Sequence, residues 1–145
     1  MDDAVTIAKK GIDVFDHADW EAFRNDLTED TVYWQPATGE EIRGLDANLA
    51  IAKAWHDAFP DVNGEITNSF GSGDQAVLQI VWTGTHTGEL AGPGGSIPPT
   101  GRQVRLPAVQ VVRVRDGKIA RTDHYFDLMS MFAQLGVAPE ASEVP

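Results

Sequence analysis

The sequence predicts a single α+β domain with helices gathered on one face of a curved sheet. Three observations predict it. Apolar residues recur at helical spacing before Pro60, apolar and polar residues alternate with period two across 76–126, and turn residues at 88–101 and 116–117 separate the long strands.

Val5, Ala8, Ile12 and Phe15 give residues 3–16 an amphipathic helical stripe. Asp19 is placed to cap a short second helix carrying Trp20, Phe23 and Leu27. Residues 31–35, Thr-Val-Tyr-Trp-Gln, are β-branched and aromatic and read as a strand ended by Pro36. Leu45, Leu49, Ala52, Trp55 and Phe59 mark a third helix stopped by Pro60, and 62–70 reads as a weak strand. Residues 76–86 form a strong strand whose drier face carries Ala76, Leu78, Ile80, Trp82 and His86. Residues 88–101 read as a Gly/Pro-rich loop over the pocket rim. The next strand, 104–114, turns Val104, Leu106, Ala108, Gln110 and Val112 to one face and its arginines to the other.

Asp116-Gly117 returns the chain as a hairpin, and two registers compete. A two-residue loop sets Ile119, Arg121, Asp123 and Tyr125 beside the apolar face. A three-residue loop with Gly117 left-handed sets Ala120, Thr122, His124 and Phe126 there. The first buries two charges, which is costly without partners, so the second is expected. Asp127 then caps a last helix with Leu128, Met131, Phe132 and Leu135, closed by Gly136. The domain is expected to span 1–138, with a frayed tail over 139–145.

Composition narrows the function. With no Cys in 145 residues, disulfides, thiolate metal sites and Cys nucleophiles are excluded. A net charge of −11 repels phosphate backbones, so nucleic acid is not an expected partner. No apolar run approaches membrane-spanning length, and the acidic start is unlike a secretory signal; a cytoplasmic location is expected. His-x-x-x-His and His-Glu-x-x-His spacings are absent, so neither metal nor organic cofactor is expected.

His124 is the leading chemical candidate: a neutral imidazole in an apolar pocket can accept a proton near neutral pH. Gln110, alone in an apolar strand face, must either tie strands together or meet a ligand oxygen. Trp82 reads as pocket wall and His86 as a loop anchor. Asp123 is expected outward beside arginines, Asp127 as a cap, and His17 and His56 on wet helix faces.

The ordered set Ala58-Phe59-Pro60-Asp61, Gly84-Thr85-His86-Thr87-Gly88, Pro99-Thr100-Gly101-Arg102, Asp116-Gly117-Lys118-Ile119 and Gln134-Leu135-Gly136 resembles the SnoaL-like polyketide cyclases over residues 4–137. The resemblance implies the cone-shaped fold of the nuclear transport factor and ketosteroid isomerase superfamily, one enclosed pocket, and dimers or tetramers. It implies ring closure of an aromatic polyketide by intramolecular aldol condensation, without metal or cofactor. The cyclases' acid/base aspartate falls on His124, their pocket His on Gln110, their pocket Gln on Ala108, and their Asn on Gln35, which follows Trp34. The expected site is therefore His124 and Gln110 as the chemical pair, with Trp34, Gln35, Trp82, His86, Ala108 and Phe126 as substrate contacts. A small apolar or aromatic carbonyl is the expected substrate, and Val109 and Val111 on the outer face suit a homo-oligomer. A non-catalytic carrier of the same fold is the alternative.

Overall fold

The computed structural model describes residues 2–92 and 95–137. Helix α1 (Ala4–Asp16) starts where the Asp3 carboxylate accepts the Thr6 N–H at 2.8 Å. Ala4, Ile7, Ala8 and Ile12 lie on one side of it and are buried. Asp19 caps α2 (Trp20–Asn25) as expected, through the Ala22 N–H at 3.2 Å. Strand β1 (Leu27–Gln35) begins four residues before the expected strand, because Leu27, expected on the second helix, pairs instead with Ile119 on the neighbouring strand; β2 (Glu40–Arg43) then folds back on it. Helix α3 (Leu45–Ala58) follows, then β3 (Asn63–Ser72), β4 (Gln75–Thr85), β7 (Gln103–Arg115), β8 (Lys118–Phe126) and α4 (Leu128–Leu135). The expected Gly/Pro loop carries a small hairpin of its own, β5 (Leu90–Gly92) with β6 (Gly95–Ile97). The tail expected to fray lies outside the described residues.

Six strands form one sheet in the order β2-β1-β8-β7-β4-β3. Its neighbours are antiparallel, except that β1 and β8 run parallel. The core has two parts. α1 covers Leu78, Ile80, Val112 and Ile119, while α4 and the end of α3 cover Val104, Leu106 and Leu90. Burying each such aliphatic side chain stabilises the fold by about 1.5–3 kcal/mol before entropy is counted. Trp82 packs against both parts and lies between them.

The β7–β8 hairpin corrects one expectation. The loop has two residues, not three: Arg115 pairs with Lys118, and Asp116 and Gly117 both have positive φ, 54° and 77°. This is the turn geometry that suits a tight hairpin. Arg113 nevertheless pairs with Arg121 although Val114 pairs with Ile119, so Ala120 is an extra residue in β8. That β-bulge reverses the alternation beyond it. Ile119 faces inward before the bulge, and Thr122, His124 and Phe126 line the interior after it, while Tyr125 is exposed. The charges stay outside, as the cost of burying them demands, by a different device.

Candidate active site

Between the two core regions lies a cavity of about 160 Å³. Phe15, Phe23, Trp55, Phe59, Trp82 and Phe126 supply its aromatic wall, and no Asp, Glu, Lys or Arg lines it among the described residues. A second cavity of about 90 Å³ shares the side chains of Ile51, Trp55 and Met131 with it.

Some polar groups on the wall are used up by the fold. Asn48 on α3 donates to the carbonyls of Gly44, Ile42 and Thr31 at 2.7, 3.1 and 3.3 Å, which fixes the helix against β1 and β2. Thr31 donates to the Ile119 carbonyl at 3.0 Å, across the parallel β1–β8 pair. Gln110 differs. It faces the cavity directly opposite His124 in the β7–β8 register, and its amide has no partner among the described residues.

His124 is buried, and side chains hold both of its ring nitrogens. The Trp82 indole Nε1–H donates to Nε2 at 3.1 Å, and the Tyr33 hydroxyl lies 2.6 Å from Nδ1. An indole N–H can only donate, so Nε2 is the accepting nitrogen and the neutral ring carries its hydrogen on Nδ1. Nδ1–H then donates to Tyr33 Oη, and Tyr33 donates onward to Gln35 Oε1 at 3.0 Å. Burial alone pushes the His124 pKa down to about 3, so the ring is neutral at pH 7. Burial first, and then the charge of Glu40, push the Tyr33 phenol above its ordinary value, so it remains protonated. Trp82 keeps its place because residue 64 is glycine: a Cβ there would stand 2.7 Å from the indole Cζ3.

The structure brings His124, Gln110, Trp82 and Phe126 to one cavity. Ala108 is buried on the same strand face without lining the cavity. Gln35 is buried against the second cavity and meets the first only through Tyr33. Trp34 is not brought to the cavity; it pairs with Glu41 and Asp123. His86 is fully buried elsewhere, with its ring tilted against Phe59 and bonded to Thr100. His56 departs from the expected wet face: it packs edge-on to Phe15 and Trp20, and its Nε2 lies 3.3 Å from the Asp16 carbonyl. Asp123 holds Arg121 at 2.9 Å, and Asp127 caps α4 through the Met129 N–H, both as expected.

Sequence reasoning missed Tyr33. The signal was strand alternation: if Gln35 faces inward, Tyr33 must as well, and Trp34 must face away. Among the described residues no cluster of His, Cys, Asp or Glu could hold a metal, and no helix is long and apolar enough to cross a membrane.

The model of the SnoaL-like polyketide cyclase family matches residues 5–135. The chain belongs to that family. Its fold recurs in IdmH from Streptomyces antibioticus, a proposed polyketide cyclase, at 28% identity and TM-score 0.76, over 91% of this chain and 97% of that one. TsrD from Streptomyces laurentii matches at 22% identity and TM-score 0.78, over 95% and 99% of the two chains. A protein with a ketosteroid isomerase-like fold from Catenulispora acidiphila, solved with trimethylamine, matches at 19% identity and TM-score 0.76, over 96% and 97%. No curated protein matches the chain.

Proposed function

We propose that this family member is a cofactor-free proton-transfer enzyme of the cyclase, isomerase or dehydratase type, acting on an aromatic or polycyclic carbonyl compound. One observation carries the reading: the unpartnered Gln110 amide stands opposite His124 on the neighbouring strand, both facing an otherwise apolar cavity. Directly opposed residues of neighbouring strands hold their Cβ atoms about 5 Å apart, so both can meet one activated carbonyl. Gln110 N–H holds the oxygen as negative charge develops, and His124 Nε2 removes the acidic C–H proton. The imidazolium then returns that proton to the new alkoxide or carbon, which leaves the enzyme unchanged. Cavity size bounds the substrate. A dry cavity of about 150 Å³ holds one benzene ring, so a cavity of about 160 Å³ takes one ring, and larger substrates extend past its wall.

The test uses an aromatic 1,3-dicarbonyl in deuterated water, with exchange of its central C–H followed by NMR. The parent is expected to speed exchange, and Gln110→Ala to slow it about tenfold to a hundredfold. A parent no faster than buffer across a panel of such compounds overturns the reading.

One observation favours a carrier instead: both His124 nitrogens are already bonded to protein. Trp82→Phe separates the two. An enzyme whose base is masked by the indole keeps or gains exchange activity when Nε2 is freed, whereas a carrier binds the compound and never exchanges it.

We also propose a homo-oligomer formed through the outer face of β7, where the half-buried Val109 pairs with the exposed Tyr125. Light scattering is expected to give at least twice the chain mass, and Val109→Glu to reduce it to one chain.

A further inference from the structure

The hydrogen bonds of His124 do not stop at Tyr33. Gln35 Nε2 donates to Thr38 Oγ1 at 2.8 Å, and Thr38 Oγ1 donates to Glu40 Oε1 at 3.0 Å. The run is therefore Trp82, His124, Tyr33, Gln35, Thr38, Glu40, and it leads from a cavity without charge to an exposed carboxylate. Its direction is forced at both ends. An indole can only donate and a carboxylate can only accept, so each group between them accepts from the cavity side and donates toward Glu40.

We propose that Glu40 is the counter-charge of His124, acting through Thr38, Gln35 and Tyr33, and that these four are the positioning residues of the site. Donors aligned in one direction polarise one another. When Nε2 takes a proton, Nδ1–H becomes a stronger donor, and the run ends on a negative charge that favours this. The device avoids a cost: a carboxylate placed directly against the ring would have to be buried in an apolar cavity. Among the described residues that line the cavity with His124, none carries a charge that competes with Glu40. β1 presents Tyr33, β4 Trp82, β7 Gln110 and α3 Trp55, and Tyr33 is the titratable one of these. The backbone holds the links in place. Gln35 and Glu40 are paired across β1 and β2, and the Gln35 carbonyl accepts the N–H of Gly39 at 2.9 Å in the turn that carries Thr38.

The proposal rests on the base reading of His124 only for its effect on turnover; the coupling itself is read without substrate. The measurement is the His124 Nδ1–H resonance in nitrogen-15-labelled protein, assigned by its loss in His124→Gln. Glu40→Gln is expected to move it upfield. The same substitution is expected to have no effect once the run is cut by Tyr33→Phe, or by Thr38→Val in the surface turn should the buried change impair folding. Glu41→Gln, an equal charge change on a residue that pairs with Arg43, is expected to leave the resonance in place. In C–H exchange, Tyr33→Phe lowers the rate about tenfold, as for one hydrogen bond to a charged group. Glu40→Gln lowers it about two- to threefold and moves the acid limb to lower pH, since a His that has lost its counter-charge is harder to protonate. A shift on Glu40→Gln that persists in the cut backgrounds, or no shift at all, overturns the proposal. Intact coupling with no loss of exchange in His124→Ala leaves the relay standing and removes the base reading alone.

Discussion

His124 and His86 are both buried on the inner side of the sheet, yet they are held in opposite ways. His124 stands at a cavity, and both of its nitrogens bond to side chains. His86 lines neither of the two cavities. Its Nδ1 accepts the Thr100 N–H at 3.2 Å, its backbone N–H donates to the Arg102 carbonyl at 2.9 Å, and Phe59 covers its ring. It fastens the 86–102 segment to the sheet. Burial pushes both histidines below their ordinary pKa, so a shifted pKa does not separate chemistry from architecture. Space for a ligand and a neighbouring unpartnered amide do.

The comparison can be broken at either residue. The largest expected effect is on His124→Ala: exchange or turnover falls by about two to four powers of ten, with a stability loss of about 1–3 kcal/mol in chemical denaturation for the Trp82 indole N–H left unpaired. His86→Ala should cost stability alone and leave exchange within about twofold of the parent. It opens a void in packed surroundings and frees the Thr100 N–H, so stability falls by about 2–4 kcal/mol in urea titration. If His86→Ala loses exchange as His124→Ala does while still folded, the contrast is empty.

Acid sharpens it further. The folded His124 pKa of about 3 lies below the unfolded value of about 6.5. Between these values the unfolded chain takes up a proton that the folded chain refuses. The stabilising contribution is therefore complete above about pH 6.5, and it is lost as pH falls toward 3. The Tm of His124→Gln should decline less than the parent's over this range. The smallest effect is expected for His124→Asp, which installs the residue type that the sequence resemblance implies for an acid/base at this position. It should retain more activity than His124→Ala in the same exchange experiment.

Much of this was legible in the sequence, because it follows from periodicity and caps. The α1 stripe, the Asp19 and Asp127 caps, and the alternation along 76–86 and 104–114 are local patterns that tertiary packing had no reason to override. The inward facing of His124 was legible too, since any register that buried Arg121 and Asp123 was too costly. The bulge that achieves it was not, because nothing in Lys-Ile-Ala-Arg marks an extra residue. β2 was hidden for a related reason: Glu-Glu-Ile-Arg is a mostly exposed edge segment with little apolar signal. Trp34 and Gln35 could not both face one side of a strand, and that conflict was the available pointer to Tyr33. The partners of His56 come from α1 and α2, at a distance along the chain that helical spacing does not report.

Ala120 acts as a phase shifter for the strand that follows it. Were Ala120 kept in the ladder opposite Arg113, with no bulge, Arg121 would stand opposite Val112, Asp123 opposite Gln110 and Tyr125 opposite Ala108, turned toward the interior, and Thr122, His124 and Phe126 would face water. The strand therefore holds two complete lining sets in interleaved positions, one apolar with an imidazole and one ionic. A one-residue slip of the pairing, with no side chain altered, decides which set meets the pocket, and loss of Ala120 keeps the observed set inward by leaving Arg121 opposite Arg113.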